Sequence, residues 1–121
     1  KAPYIVPLNF GYRDMTLFFH SAPKGKKTDL IKKNPYACFE IDRINEPIES
    51  DEPCSWGMQF QSVIGYGTIK FIRDMEEKKQ ALSLIMAQYS DGDYDFPDTK
   101  VKATAVYRLR IERMTGKQSG L

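Results

Sequence analysis

The stretch Met58-Gln-Phe-Gln-Ser-Val-Ile-Gly-Tyr-Gly-Thr-Ile-Lys-Phe-Ile72 decides the fold. It is rich in β-branched and aromatic residues, which favour strands, and it is unusually long for a single strand. Gly65 and Gly67 lie inside it, and glycines within a strand pattern mark bends or close approach of backbones. The stretch therefore predicts one long, bent strand of a sheet that curls into a barrel.

A hairpin is predicted near the start of the chain. Pro3 to Phe10 has the composition of a strand, and Pro7 gives it a free edge or a bulge because proline cannot donate to a ladder. Gly11 to Asp14 predicts the turn, and Met15 to His20 predicts the second strand.

Two further strands follow from alternating apolar and polar residues, at Tyr36 to Asp42 and at Thr104 to Met114. The residues expected to face the core are Ala37, Phe39, Ile41, Ala105, Tyr107, Leu109 and Ile111.

Two helices are expected between these strands. A short helical pattern follows Lys27 and is stopped by Pro35. Asp74 with Glu77 three residues later is a capping box, and helical spacing then runs to Ser90. Asn45 to Ser55 and Ser90 to Asp98 are expected to be loops. Together the elements predict a mostly β fold, a small antiparallel barrel of five or six strands with helices at its ends.

Length and composition limit the class of protein. The 121 residues suit one domain, residues 1–121, and 18 basic against 16 acidic residues leave a net charge of only +2. This balance does not favour nucleic acid as a partner, and no apolar run approaches the ~20 residues of a membrane helix. Cys38 and Cys54 lack C-x-x-C spacing, and spacing alone leaves a zinc site of two cysteines and one histidine open. One histidine and two distant cysteines nevertheless favour no metal, and we expect reduced, buried cysteines in a cytoplasmic protein.

The most polar candidate site is Phe18 to Lys27, where a strand ends in a turn that carries the single histidine, His20. Hydroxyl groups, lysines and the start of a helix could together bind an anion. The spacing fits neither a Walker loop nor a Gly-x-Gly-x-x-Gly turn. A phosphate site and a merely solvated basic helix both remain open from these residues alone.

Other candidates are weaker. Trp56 could form an aromatic wall for a flat ligand, or it could belong to a core or interface. His20 could move a proton or be a structural residue. The aspartates between 91 and 95 resemble the start of a calcium loop, but Phe96 and Lys102 occupy positions that need glycine and glutamate. No spacing supports covalent hydrolysis.

Taken in order, seven motifs resemble the FMN-binding split barrels of the pyridoxamine 5′-phosphate oxidase-like superfamily, and most of all the nitroimidazole-resistance (Nim) proteins. The resemblance covers essentially the whole chain and implies a six-stranded antiparallel split barrel with about two short helices. It also implies that further residues precede Lys1. The motifs are Pro3 to Leu8, Phe19 to Ala22, Asn34-Pro35, Cys38 to Asp42, Cys54 to Trp56, Ser62 to Gly67 and Met114 to Lys117.

The resemblance also implies a set of cofactor-binding residues. Lys26 and Lys27 match an Arg-Lys pair that holds the FMN phosphate, and Lys26 keeps the charge of the arginine while losing its bidentate fork. Ser62 matches a glutamine that contacts the flavin. The full expected set is Ile5, Val6, Pro7, Leu8, His20, Ser21, Ala22, Lys26, Lys27 and Ser62.

The function implied is that of a flavin-dependent oxidoreductase acting on a small-molecule substrate. Electrons would pass from a reduced nicotinamide to a small acceptor, plausibly a nitro-aromatic ring, with His20 as the proton donor or substrate contact. The resemblance also implies a homodimer with the cofactor at the interface and Trp56 near the substrate. The alternatives are a non-catalytic protein that holds flavin or haem, with His20 as an axial ligand, and an empty barrel used as a scaffold.

Overall fold

The computed structural model describes residues 2–121, which form a five-stranded antiparallel sheet and three α-helices. The chain enters the sheet at residue 11 and leaves it at residue 119. The elements are β1 (Gly11–Arg13), β2 (Thr16–Ser21), α1 (Lys26–Lys33), β3 (Tyr36–Ile48), β4 (Gly57–Ile72), α2 (Met75–Tyr89), α3 (Asp98–Lys102) and β5 (Ala105–Ser119).

The strand order in the sheet is β1-β2-β5-β4-β3, so the sheet is open and β1 and β3 form its two edges. The predicted mostly β, split-barrel class is confirmed. Within the described residues there are five strands where six were expected, and α3 is a third helix that the sequence did not predict. The helix is one turn long, too short to show a periodic pattern.

The missing strand is the predicted one at Pro3 to Phe10, which has no regular structure. The segment is mostly exposed, with Ile5 90% exposed, and Pro7 removes a donor that a ladder would need. The first hairpin instead joins β1 to β2. Its turn is formed by Asp14 and Met15, both with positive φ (51° and 58°), which suits the twist of a two-residue hairpin.

The glycines of β4 do bend the sheet, as predicted. The pairing of β4 with β5 shifts register between Tyr66 and Gly67, which is a β-bulge on β5. A Cβ on Gly67 would lie 2.0 Å from the carbonyl oxygen of Arg110, and one on Gly65 would lie 2.3 Å from the ring of Phe39. Only glycine lets the backbones and the ring approach this closely.

The larger of two core clusters lies on one face of the sheet. Tyr107 is fully buried, and its ring stacks on Phe19 (4.9 Å between centroids) and meets Phe71 at 4.8 Å. The strand residues expected to face the core do so: Tyr107, Leu109 and Ile111 are buried, and Ala37, Phe39, Ile41 and Ala105 pack against them.

Several loops are shorter than expected because strands continue through them. β3 extends to Ile48 with a bulge after Ile44, and a 3-10 turn at Pro53–Ser55 replaces part of the predicted loop. β5 continues to Ser119 because it pairs with β4 from Phe60 to Ile72. Both cysteines are free thiols, but they are exposed rather than buried, since Cys38 lies on the outer face of β3 and Cys54 in the 3-10 turn.

Helix α2 packs on the other face, where Ala81 forms the smaller core cluster with Ile72 and Val106. Asp74 caps it through a 3.1 Å bond from the Glu77 N–H, as predicted. Lys79 donates to Asp98 at 2.6 Å and ties α3 to α2, and this bond holds the pKa of Asp98 below its usual value. Within residues 2–121, no helix is both long enough and apolar enough to cross a membrane.

We expect Gly67→Ala to lower the free energy of unfolding by more than about 2 kcal/mol, because the new methyl group meets a backbone carbonyl that cannot move without breaking the β4–β5 ladder. Urea unfolding followed by circular dichroism measures the change. The control is Gly116→Ala on β5, where a Cβ meets only ordinary contacts at 3.7 Å and the effect stays within about 0.5 kcal/mol. Equal unfolding midpoints for the two variants would contradict this account of the bend.

Candidate functional site

The end of β2 and the start of α1 are held together by one buried hydroxyl group. The Tyr107 hydroxyl lies 2.9 Å from Ser21 Oγ and 2.9 Å from Thr28 Oγ1, and Ser21 Oγ also donates to the Ala22 carbonyl at 3.0 Å. A chain running from Thr28 through Tyr107 and Ser21 to Ala22 uses one hydrogen at each step and leaves none of them unpaired. The polar turn predicted from the sequence is thus hydrogen-bonded to a core residue, Tyr107.

The first turn of α1 is open to a ligand. Gly25 is its N-cap and has φ 139°, a conformation that other residues rarely adopt. No side chain caps the helix, so the amide groups of its first turn keep their donor capacity. Lys26 and Lys27 occupy the first two positions of the helix. Donor amides, the helix dipole and two cations at one place favour an anion such as a phosphate group.

The N-terminal segment lies next to this helix start. The Lys26 ammonium stands 4.8 Å from the centre of the Tyr4 ring, a cation–π contact that links α1 to the segment. Within residues 2–121, the backbone of residues 5–8 makes no hydrogen bond to another part of the protein. Its N–H and C=O groups are therefore available to a ligand, except at Pro7, which has no N–H.

A cavity of about 340 Å³ opens between this segment and the end of β2, lined by Pro7, Leu8, Asn9 and His20. The volume is within the range of small-molecule sites. His20 is exposed, so its imidazole is accessible from the cavity. Three predicted residues, Pro7, Leu8 and His20, are thus brought together.

Other predicted residues lie elsewhere. Ser62 lies on β4, where it pairs with Asp42 of β3 and Lys117 of β5. It does not line the cavity at His20. Trp56 precedes β4 and is 52% exposed, with its indole N–H donating to the Ser50 carbonyl at 2.6 Å. The single chain therefore does not unite Ser62 and Trp56 with the cavity at His20.

Sequence reasoning missed three residues of this region. Tyr107 was expected only as a core residue, Thr28 had no assigned role, and Asn9 was taken as part of a strand. The available signal was weak, because a tyrosine among apolar strand residues shows only that its hydroxyl needs a partner. Which partner it finds depends on contacts between residues far apart in the chain.

The fold and this site define a class of protein, a split barrel whose open antiparallel sheet carries an anion-ready helix start beside a small cavity. The sequence matches the family described as Pyridoxamine 5'-phosphate oxidase over residues 1–118. The chain belongs to that family, and the resemblance noted from its motifs is confirmed. A comparison with curated protein sequences gave no significant match.

Solved structures show the same fold. A candidate 5-nitroimidazole antibiotic resistance protein from Bacteroides thetaiotaomicron is 35% identical, with a TM-score of 0.85 over 95% of this chain and 68% of that one. The flavocytochrome Anf3 from Azotobacter vinelandii is 18% identical (TM-score 0.83, 99% and 57%). A FAD and heme binding protein from Mycobacterium smegmatis is 16% identical (TM-score 0.82, 96% and 59%). The chain thus spans less than two thirds of the last two proteins, whose similarity shows the fold alone.

We expect Tyr107→Phe to cost about 1–3 kcal/mol of unfolding free energy, because Ser21 and the buried Thr28 lose their shared partner. Thermal and urea unfolding measure this loss. Tyr94→Phe is the matched control, since it removes a hydroxyl whose bond to Ser90 is exposed, and its effect stays within about 0.5 kcal/mol. An unchanged stability in Tyr107→Phe would show that this hydroxyl does not hold the helix start in place.

Proposed function

We propose that this protein is an FMN-binding oxidoreductase of the nitroimidazole-resistance type, acting on a small nitro-aromatic acceptor. The observation that carries the proposal is the pairing of an uncapped, lysine-bearing helix start with a cavity that contains His20. The 35% identical Bacteroides protein, named as a candidate resistance protein against 5-nitroimidazoles, supports the choice of acceptor.

The residues present fit a flavin mononucleotide. Its phosphate group would be held by the first-turn amides of α1 and by Lys26 and Lys27. Its ring would lie along residues 5–8, whose unpaired backbone groups suit the polar edge of an isoalloxazine. The Ser21 hydroxyl accepts from Tyr107 and donates its single hydrogen to the Ala22 carbonyl, so it orients the turn rather than donating to the phosphate.

When bound, the flavin supplies the electron chemistry, accepting a hydride from a reduced nicotinamide and passing electrons to the acceptor. The chain supplies binding, orientation and a proton. His20 is the residue placed to hold that proton, because its imidazole, which can both accept and donate a proton, is exposed at the cavity. His20→Gln should retain flavin but reduce a nitro-aromatic compound more slowly, as a steady-state absorbance assay would show.

A second candidate function is haem or flavin binding without turnover. The accessible imidazole of His20 at a cavity favours it, because one histidine can serve as an axial ligand of haem. The absorbance spectrum of the purified protein separates the two, since flavin and haem absorb in different bands.

We expect Lys26→Ala with Lys27→Ala to weaken FMN retention by about tenfold or more, because two charge-assisted contacts to the phosphate are lost. The measurement is the flavin absorbance that stays with the protein after gel filtration, together with a fluorescence titration. Lys32→Ala with Lys33→Ala is the matched control, removing the same charge from the other end of α1.

Equal flavin affinity in the two double variants would show that the phosphate is not bound at the start of α1. A wild-type protein that retains no FMN after incubation with it would remove the flavin chemistry altogether, while the fold would stand.

We also propose a homodimer that completes the site. By strand alternation, Ile44, Met58 and Ile64 lie on one face of the β3–β4 hairpin, and they are 62%, 40% and 43% exposed. Exposed apolar residues that share a face favour burial against another protein surface. In such a dimer, Trp56 and Ser62 of one subunit would lie near the flavin bound by the other subunit.

The free thiols of Cys38 and Cys54 support a reducing, cytoplasmic location.

We expect wild-type protein to sediment at the mass of two chains and Ile44→Asp to shift toward one, because a charge buried in the interface is costly. Sedimentation equilibrium over a range of concentrations measures both. Leu121→Asp is the control, since this residue is similarly exposed (57%) but lies outside the hairpin. A wild-type protein of single-chain mass at all concentrations would contradict the dimer.

A further inference from the structure

A second, larger cavity lies on the face of the sheet opposite Tyr107. It is a groove of about 460 Å³ between helix α2 and strands β1, β2, β5 and β4. None of the residues that line it lines the cavity at His20. Its floor borders the smaller core cluster of Ile72, Ala81 and Val106, and the proposed flavin chemistry makes no use of it.

Four cations from three strands meet in this groove: Arg13 of β1, Lys70 of β4, and Arg108 and Arg110 of β5. Lys70 is the direct cross-strand partner of Arg108, and Arg110 follows Arg108 on the same face two residues later. Side chains opposite each other in neighbouring strands have Cβ atoms about 5 Å apart, and like charges in such pairs destabilise a sheet.

The protein does little to offset this repulsion. Glu77 is the one carboxylate that lines the groove, which leaves an excess of three positive charges, four cations less one anion. The Glu112 carboxylate nearby accepts a 2.6 Å bond from Thr68. In the part of the chain that the structure describes, the only ion pair joins Lys79 to Asp98, so none of the four cations is paired.

Arg13, Lys70 and Arg110 are exposed and Arg108 is half-buried, but all four line a concavity with a helix as one wall. A concave, low-dielectric wall concentrates the positive potential and attracts counter-ions. Local conflict of this kind, without compensation inside the fold, is expected where a ligand resolves it. An anionic ligand would supply the negative charge that the groove lacks.

The rest of the lining indicates what kind of anion. The half-buried side chains of Phe18 and Leu84 form an apolar part of the groove beside the buried Ile72 and Ala81, and inorganic phosphate would leave this part unfilled. Arginine forks match phosphate oxygens in a bidentate manner and stack on flat rings. We infer that this groove binds a small organic phosphate with an aromatic part, of the chemical class of a nucleoside diphosphate, separately from the flavin.

The test is a titration of the wild-type protein, supplied with FMN, using ADP that carries an N-methylanthraniloyl fluorophore and reading anisotropy. We expect saturable binding that Arg108→Gln with Arg110→Gln weakens by about tenfold or more, since two charge-assisted contacts are lost. Lys32→Gln with Lys33→Gln removes the same charge elsewhere and should change affinity less than about twofold. The Lys26→Ala, Lys27→Ala variant should behave like this control.

Lys70→Glu keeps the proposal testable if the double arginine variant folds poorly. It replaces a like-charge cross-strand pair by an ion pair with Arg108, so its melting temperature should equal or exceed that of wild type while its affinity for the labelled ADP falls. Loss of stability together with affinity, equal weakening in the lysine controls, or no saturable binding by wild type would each overturn the proposal. Full competition by inorganic pyrophosphate at equal concentration would overturn the aromatic part of it.

Discussion

The buried hydroxyl of Tyr107 is the interaction on which the site depends. Its ring forms the centre of the core between Phe19 and Phe71, and its hydroxyl reaches out of that core to the end of β2 and the start of α1. A hydroxyl at 0% exposure must be hydrogen-bonded or cost free energy, so the turn and the helix are drawn to one fixed position. The geometry of the proposed phosphate site is therefore set from inside the barrel rather than by the exposed lysines that would contact the ligand.

A second constraint comes from close backbone approach. Gly67 lets β4 lie against the carbonyl of Arg110, and Gly11 lets β1 lie against the backbone of α2, where a Cβ would be 2.6 Å from Ile85 N. The first contact lies at the β-bulge between β4 and β5, and the second fixes α2 over the face of the sheet opposite Tyr107. The close pairing of β4 with β5 and the position of α2 beside the basic groove thus both depend on glycines that permit contact without side chains.

Local signals predicted a mostly β barrel and its long bent strand: strand alternation, glycines inside a strand and the capping pair Asp74 and Glu77. The split form of the barrel was implied by the family resemblance. The strand predicted at Pro3 to Phe10 does not form, because a segment of high β propensity becomes a strand only where a neighbouring strand is available to pair with it. The family resemblance predicted three residues that line the cavity at His20, namely Pro7, Leu8 and His20 itself. The sequence contained no sign of the basic groove, because Arg13, Lys70 and Arg108 are brought together only by the order of strands in the sheet.

An open sheet leaves two strand edges that could pair with other molecules, and this one carries a different safeguard on each. β1 is only three residues long and is held beneath α2, so it offers little ladder to an incoming strand. β3 is long, but its register breaks after Ile44 and Pro47 lacks a donor at the same point. The irregularity of β3 thus protects the protein from edge-to-edge aggregation. A variant with a regular β3 would gain hydrogen bonds and lose solubility.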